Sequence, residues 1–173
     1  MKKTILFLLL LSISLSSCEK DDICDEDTLT TPRLVITFYD FNDPSTLKEV
    51  DDLKIIAEGM DEGITYNSST LINGSTVAIP LKTDAESVKF RFILNFGSET
   101  TTSVNEDELQ FDYTRSTIFV SRACGYKTNY VLNQANPYTH TDATVADGKW
   151  IQSISVNNRT ITNENETHLE IYF

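Results

Sequence analysis

Apolar and polar residues alternate with a period close to two along most of this chain. In the run Val88-Lys89-Phe90-Arg91-Phe92-Ile93-Leu94-Asn95-Phe96 every second position from Val88 to Phe96 is apolar. Successive side chains of a strand point to opposite faces, so these residues are predicted to share one face of a sheet. Leu34, Ile36 and Phe38 repeat the pattern, as do Leu109, Phe111 and Tyr113, and again Leu169, Ile171 and Phe173. β-branched and aromatic residues fill these runs, as a pleated, half-buried surface favours. Turn chemistry separates them. Asn73-Gly74 predicts a type I′ hairpin joining 70–72 to 76–79. Cys124-Gly125 bridges 118–120 and 126–132, Asp147-Gly148 precedes a strand around 150–156, and Asn157-Asn158 predicts a tight turn into 159–161. Pro32 suits the start of an edge strand, where no ladder donor is needed. The one stretch with a helical reading is a single turn over 44–50 with Ser45 as its cap. Many short strands with regular turns predict one all-β domain over residues 32–173. The fold expected is an antiparallel, immunoglobulin-like β-sandwich of about seven to nine strands.

The first residues follow a different rule. Lys2 and Lys3 precede an unbroken apolar run over 5–11, and mostly small residues lead to Cys18. A secretory signal has such a basic start, apolar middle and small-residue cut site, and the run is too short to span a bilayer. Leu15-Ser16-Ser17-Cys18 resembles a lipobox, so residues 1–17 read as a removable signal peptide and Cys18 as the site of lipid attachment. Residues 18–31 then form an acidic lipidated tether. Within it Lys20-Asp21-Asp22 resembles the export signal of Bacteroidetes surface lipoproteins. The expected location is the outer membrane, facing the cell surface, with the periplasmic face as the alternative.

Cysteine usage fits that compartment. Of three cysteines, lipidation takes Cys18 and leaves Cys24 and Cys124, an even pair that reads as a disulfide where the surroundings are oxidising. No Cys-x-x-Cys spacing or histidine cluster suggests a metal or redox centre.

Charge and candidate chemistry narrow the function further. The chain carries a formal net charge of −12, which repels phosphate backbones and makes nucleic acid an unsuitable partner. Acidic residues crowd the tether and recur at Glu106-Asp107-Glu108, where they read as solvated runs with at most weak affinity for calcium. Asp40-Phe41-Asn42-Asp43-Pro44 begins like a calcium loop and fails at the proline. His168 is expected to face solvent on the last strand and His140 to lie in a polar loop. Either could serve a hydrolase with a nearby carboxylate, but no nucleophile elbow or phosphate-cradling glycine loop accompanies them. No enzyme activity and no cofactor are therefore expected. Trp150 and Tyr138, with Tyr126 and Tyr130, are candidate ring faces for a glycan, although the preferred reading of Trp150 is the core tryptophan of the sandwich. Asp27-Thr28-Leu29 resembles an O-glycosylation motif of exported Bacteroidetes proteins and marks Thr28 as a modification candidate.

Three segments together carry a wider resemblance: Cys18-Glu19-Lys20-Asp21-Asp22-Ile23-Cys24, Thr31-Pro32-Arg33-Leu34-Val35-Ile36 and Ser121-Arg122-Ala123-Cys124-Gly125-Tyr126. They resemble a small family of Bacteroidetes outer-membrane lipoproteins of uncharacterised function. The resemblance implies lipidation, strengthens the pairing of Cys24 with Cys124, and supplies no catalytic or binding residue. The expected role is a non-enzymatic, lipid-anchored β domain that binds or supports another envelope component. The expected partners are the membrane itself and an outer-membrane protein or a glycan.

Overall fold

The computed structural model describes residues 23, 24, 28, 30–99 and 104–173. Cys18, Lys20, Asp21, Asp22 and the signal segment lie outside the described residues. Among those described there are eleven strands and no helix. They are β1 (Leu34–Tyr39), β2 (Val50–Ala57), β3 (Ile72–Gly74), β4 (Thr76–Ile79), β5 (Ser87–Leu94), β6 (Asn105–Ser121), β7 (Gly125–Leu132), β8 (Tyr138–Asp142), β9 (Ser153–Val156), β10 (Thr160–Ile161) and β11 (Leu169–Tyr172). Two sheets form an open sandwich. One runs β4-β1-β11-β9, the other β10-β7-β6-β5-β2-β3 with β8 also on β6.

The period-two runs account for the core. Leu34, Ile36, Phe38, Val88, Phe90, Phe92, Leu109, Phe111, Tyr113, Leu169 and Ile171 all belong to one buried cluster. Phe90 packs against Phe92 and Phe111 with ring centroids 6.4 and 6.1 Å apart. Removing these faces from water is the main favourable contribution to folding.

Several local expectations need correction. The sandwich is not wholly antiparallel: β1 and β11 pair in parallel, with Ile36 opposite Leu169 and Phe38 opposite Ile171. Pro32 precedes an interior strand, since β1 lies between β4 and β11. Its missing N–H costs nothing because β1 begins two residues later, at Leu34. Asn73-Gly74 closes no hairpin. β3 pairs with β2 in one sheet and β4 with β1 in the other, so the chain changes sheets at Ser75. Gly74, at φ +118°, supplies the backbone conformation for that crossing. Residues 44–45 form a turn, not a helix; Asp43 caps it by accepting from Ser45 N and Oγ and from Thr46 Oγ1. The strand expected from Trp150 starts only at Ser153.

β6 organises one end of the molecule. Its first part, Asn105 to Asp112, pairs with β5, and its second part, Tyr113 to Ser121, pairs only with β7. β8 lies on the same side of β6 as β7, opposite Asp107 to Phe111. Beyond Tyr113 β6 pairs with β7 alone, and once past Tyr130 and Val131, where β10 still lies on β7, the hairpin continues as a two-stranded ribbon; residues 114–119 of β6 are exposed on both faces.

Candidate functional site

The ribbon is where the chain's N-terminal segment is fastened. Cys24 and Cys124 form a disulfide with Cα atoms 4.9 Å apart, as the cysteine count led one to expect. Cys124 sits in the turn between β6 and β7, where its N–H donates to Ser121 Oγ at 3.0 Å. Gly125, at φ +69°, takes the left-handed conformation that the turn needs. A second fastening follows. Thr128 N donates to Thr31 Oγ1 at 3.0 Å, so Cys24 is tied to the turn of the hairpin and Thr31 to β7. The segments that carry the family resemblance, around Cys24, Thr31 and Cys124, thus converge on one end of the domain. Thr28 is half-buried there and lines a cavity of about 240 Å³ with Cys24, Cys124, Tyr126 and Lys127.

The same ribbon displays apolar side chains. Phe119 and Tyr126 are cross-strand partners whose rings lie 5.4 Å apart, edge to face. They are 56% and 70% exposed. Ile118, on the other face of the ribbon, and Ile23, next to Cys24, are also exposed, at 41% and 83%.

The aromatic residues proposed for a glycan fall elsewhere. Trp150 is a core residue, 7% exposed; its Nε1 donates to Phe92 O at 3.1 Å and its ring meets the edge of Phe173. That burial bears out the core reading of Trp150 and corrects the alternative of a ligand contact, since no ring face is left open to a sugar. Tyr130 is fully buried, and Tyr138 is half-buried with its hydroxyl donating to Ile154 O. Among the four, only Tyr126 is exposed.

The histidines are also placed differently from the sequence reading. His168 is fully buried and not on a solvent face: β11 begins only at Leu169, and Val35 N donates to His168 Nδ1 at 3.0 Å. Burial disfavours the imidazolium and holds its pKa below the ordinary 6.5, against the opposing pull of Glu166 and Glu164. The folded state then binds fewer protons than the unfolded chain between the depressed and the ordinary pKa, so stability falls as pH drops through that window. We expect urea midpoints to decline on acidification below 6.5 and the decline to flatten in His168→Gln. An unchanged slope in the variant would remove His168 as its cause.

His140 is part of β8, not a loop, and stands opposite Leu109. Its Nε2 lies 3.1 Å from Asp107 Oδ2 but is not aligned for a hydrogen bond. Asp107 is fully buried, which the acidic run had concealed. The signal was phase: Asp107, Leu109, Phe111 and Tyr113 share the buried face of β6. Glu106 and Glu108 point the other way and pair with Arg91 and Lys89, both at 2.6 Å. Asp107 Oδ2 accepts from Ile151 N at 2.8 Å. Together with the Trp150 N–H bond, this fixes the segment that crosses from β8 to β9. The geometry is that of a structural latch at the crossing.

Against known protein families, residues 52–173 match a family of unknown function, DUF6452. No curated protein and no solved structure matches the chain.

Proposed function

Because the chain belongs to the family of unknown function DUF6452, its role has to come from its own residues, and we propose that it is a lipid-anchored lipoprotein of a Bacteroidetes outer membrane. In this reading it is a non-enzymatic β domain that binds or supports another envelope component at the cell surface. One observation carries the proposal: the Cys24–Cys124 disulfide fixes the N-terminal segment to the tip of the β6–β7 ribbon. Six residue steps separate Cys18 from Cys24, and at 3.3–3.6 Å per step they span at most about 20 Å. An acyl group on Cys18 then holds the ribbon end of the domain close to the bilayer, within reach of a partner in or on the same membrane. His168 is sequestered in the core and His140 lies against a latch carboxylate, which supports a non-catalytic role.

The anchor and the partner are tested separately. Detergent phase partitioning should place the wild type with the membrane proteins and move Cys18→Ala to the aqueous phase; equal partitioning would refute lipidation at Cys18. Crosslinking of intact envelopes followed by affinity capture should recover an envelope protein or glycan in a defined stoichiometry. Recovery of neither under several crosslinkers would count against a binding or supporting role.

A further inference from the structure

We propose that the tip of the β6–β7 ribbon is itself a membrane-docking element, seated in the headgroup layer of the bilayer that carries the anchor. The first argument is apolar. Phe119 and Tyr126 are exposed together on one face of the tip, Ile118 is exposed on the other face opposite Lys127, Ile23 is exposed next to Cys24 of the disulfide, and both strands of the ribbon there lack a further neighbour in the sheet. Tyr126 pairs an apolar ring with a polar hydroxyl, which suits the boundary between acyl chains and headgroups.

The second argument is charge. Residues 113–141 contain Arg115, Arg122 and Lys127 and not one Asp or Glu, in a chain of net charge −12. Arg115 is engaged at the base of the ribbon, donating to Thr83 O. Arg122 is in the tip turn, and Lys127 stands opposite Ile118. These cations offset part of the charge of the acidic tether that the disulfide brings to the same end, so the ribbon face is repelled less by an anionic surface than the tether and the acidic body would be without them.

The third argument is proximity, and it rests on the anchoring proposed above. The disulfide joins the tip to the chain six steps from Cys18, so an acyl anchor presents this face and no other to the lipid. Ring insertion then adds an attachment to the acyl chains and fixes the orientation of the domain, leaving the far end free for a partner.

The test uses the full lipidated protein reconstituted into phosphatidylethanolamine vesicles with and without phosphatidylglycerol. A tryptophan reporter is placed at the tip by Phe119→Trp, or at the opposite end by Leu47→Trp, another exposed position. Brominated acyl chains in the bilayer should quench the Phe119→Trp reporter and leave the Leu47→Trp reporter unaffected, over the shared background of buried Trp150. Quenching at the tip should appear with either lipid composition, because the rings and the anchor carry the docking. Equal quenching at the two positions, or none at the tip, would overturn docking. If the protein proves to carry no acyl group, adding the same vesicles to the aqueous protein tests the ribbon alone. Quenching at the tip would then uphold docking while the anchor reading fails, and its absence would refute both.

Discussion

Replacing Cys24 and Cys124 with serine should lower the unfolding free energy by roughly 2–5 kcal/mol, the usual cost of losing a native disulfide in a small secreted domain. The upper part of that range applies here because the bond closes a separation of 100 residues. The chain-entropy account gives about 4.7 kcal/mol for a loop of that size, through the freedom that the bond removes from the unfolded chain. For a domain of this length the melting temperature should fall by roughly 5–20 °C. A local effect should accompany the global one. From Ser116 to Asn129 each strand of the ribbon has only the other as its neighbour, so this part depends on the covalent link more than the sandwich does. Amide exchange should therefore accelerate first across residues 116–129, while Phe90, Phe92 and Leu109 stay protected until global unfolding. Thermal and urea unfolding of the double variant, with exchange measured by mass spectrometry, would show both effects. A denaturation midpoint equal to the wild type's would sink the stability claim. Uniform acceleration across the domain would sink the local one.

Why some of this was readable from sequence, and some not, follows from what each signal specifies. The alternation Val88-Phe90-Phe92 and Leu109-Phe111-Tyr113 located strands and their buried faces, because a period of two leaves one face for the core. The hairpin at Cys124-Gly125 was legible because its two strands are adjacent and both exposed at the tip. Asn73-Gly74 carried the same kind of signal and meant something else. Turn residues specify a backbone conformation, not the identity of the partner strand. Asn73 Oδ1 accepts from Asp52 N at 2.9 Å, so the asparagine serves β2 while Gly74 turns the chain toward the other sheet. His168 was misplaced for a related reason. Extending the alternation of Leu169 and Ile171 back by one residue assumes that the strand continues, but regular pairing stops at Leu169. His168 O instead accepts from the N–H groups of Asn157 and Asn158. The anchoring end was legible only in part. Cysteine arithmetic paired Cys24 with Cys124, whereas the exposed Phe119–Tyr126 pair depends on where β5 stops covering β6, which no local pattern in β6 records.

Asp107→Ala should cost roughly 3–5 kcal/mol if the Asp107–His140 pair is ionised, because it leaves a buried charge without its partner. If His140 is neutral the cost should be nearer 1–3 kcal/mol, that of a buried donor left unsatisfied. The donor in question is Ile151 N–H, which has Asp107 Oδ2 as its acceptor at 2.8 Å. Asp107→Asn separates these contributions. It keeps an oxygen for Ile151 N–H and removes the negative charge facing His140, so it should cost much less than alanine if the latch to Ile151 dominates. It should approach the alanine value if the charge pair dominates. A double-mutant cycle with His140→Gln measures the coupling directly, since the two side chains are in contact and their effects need not add. The position also tests what the pair is for. Asp107 is wholly shielded from solvent, and His140 is largely covered, so their first duty is to hold the crossing from β8 to β9. The alanine variant should therefore loosen residues 149–152 in amide exchange and weaken the packing of Trp150 on Phe173. That packing can be followed by the emission of the single tryptophan. Wild-type stability and emission in Asp107→Ala would remove the latch and reopen the buried pair to a chemical role.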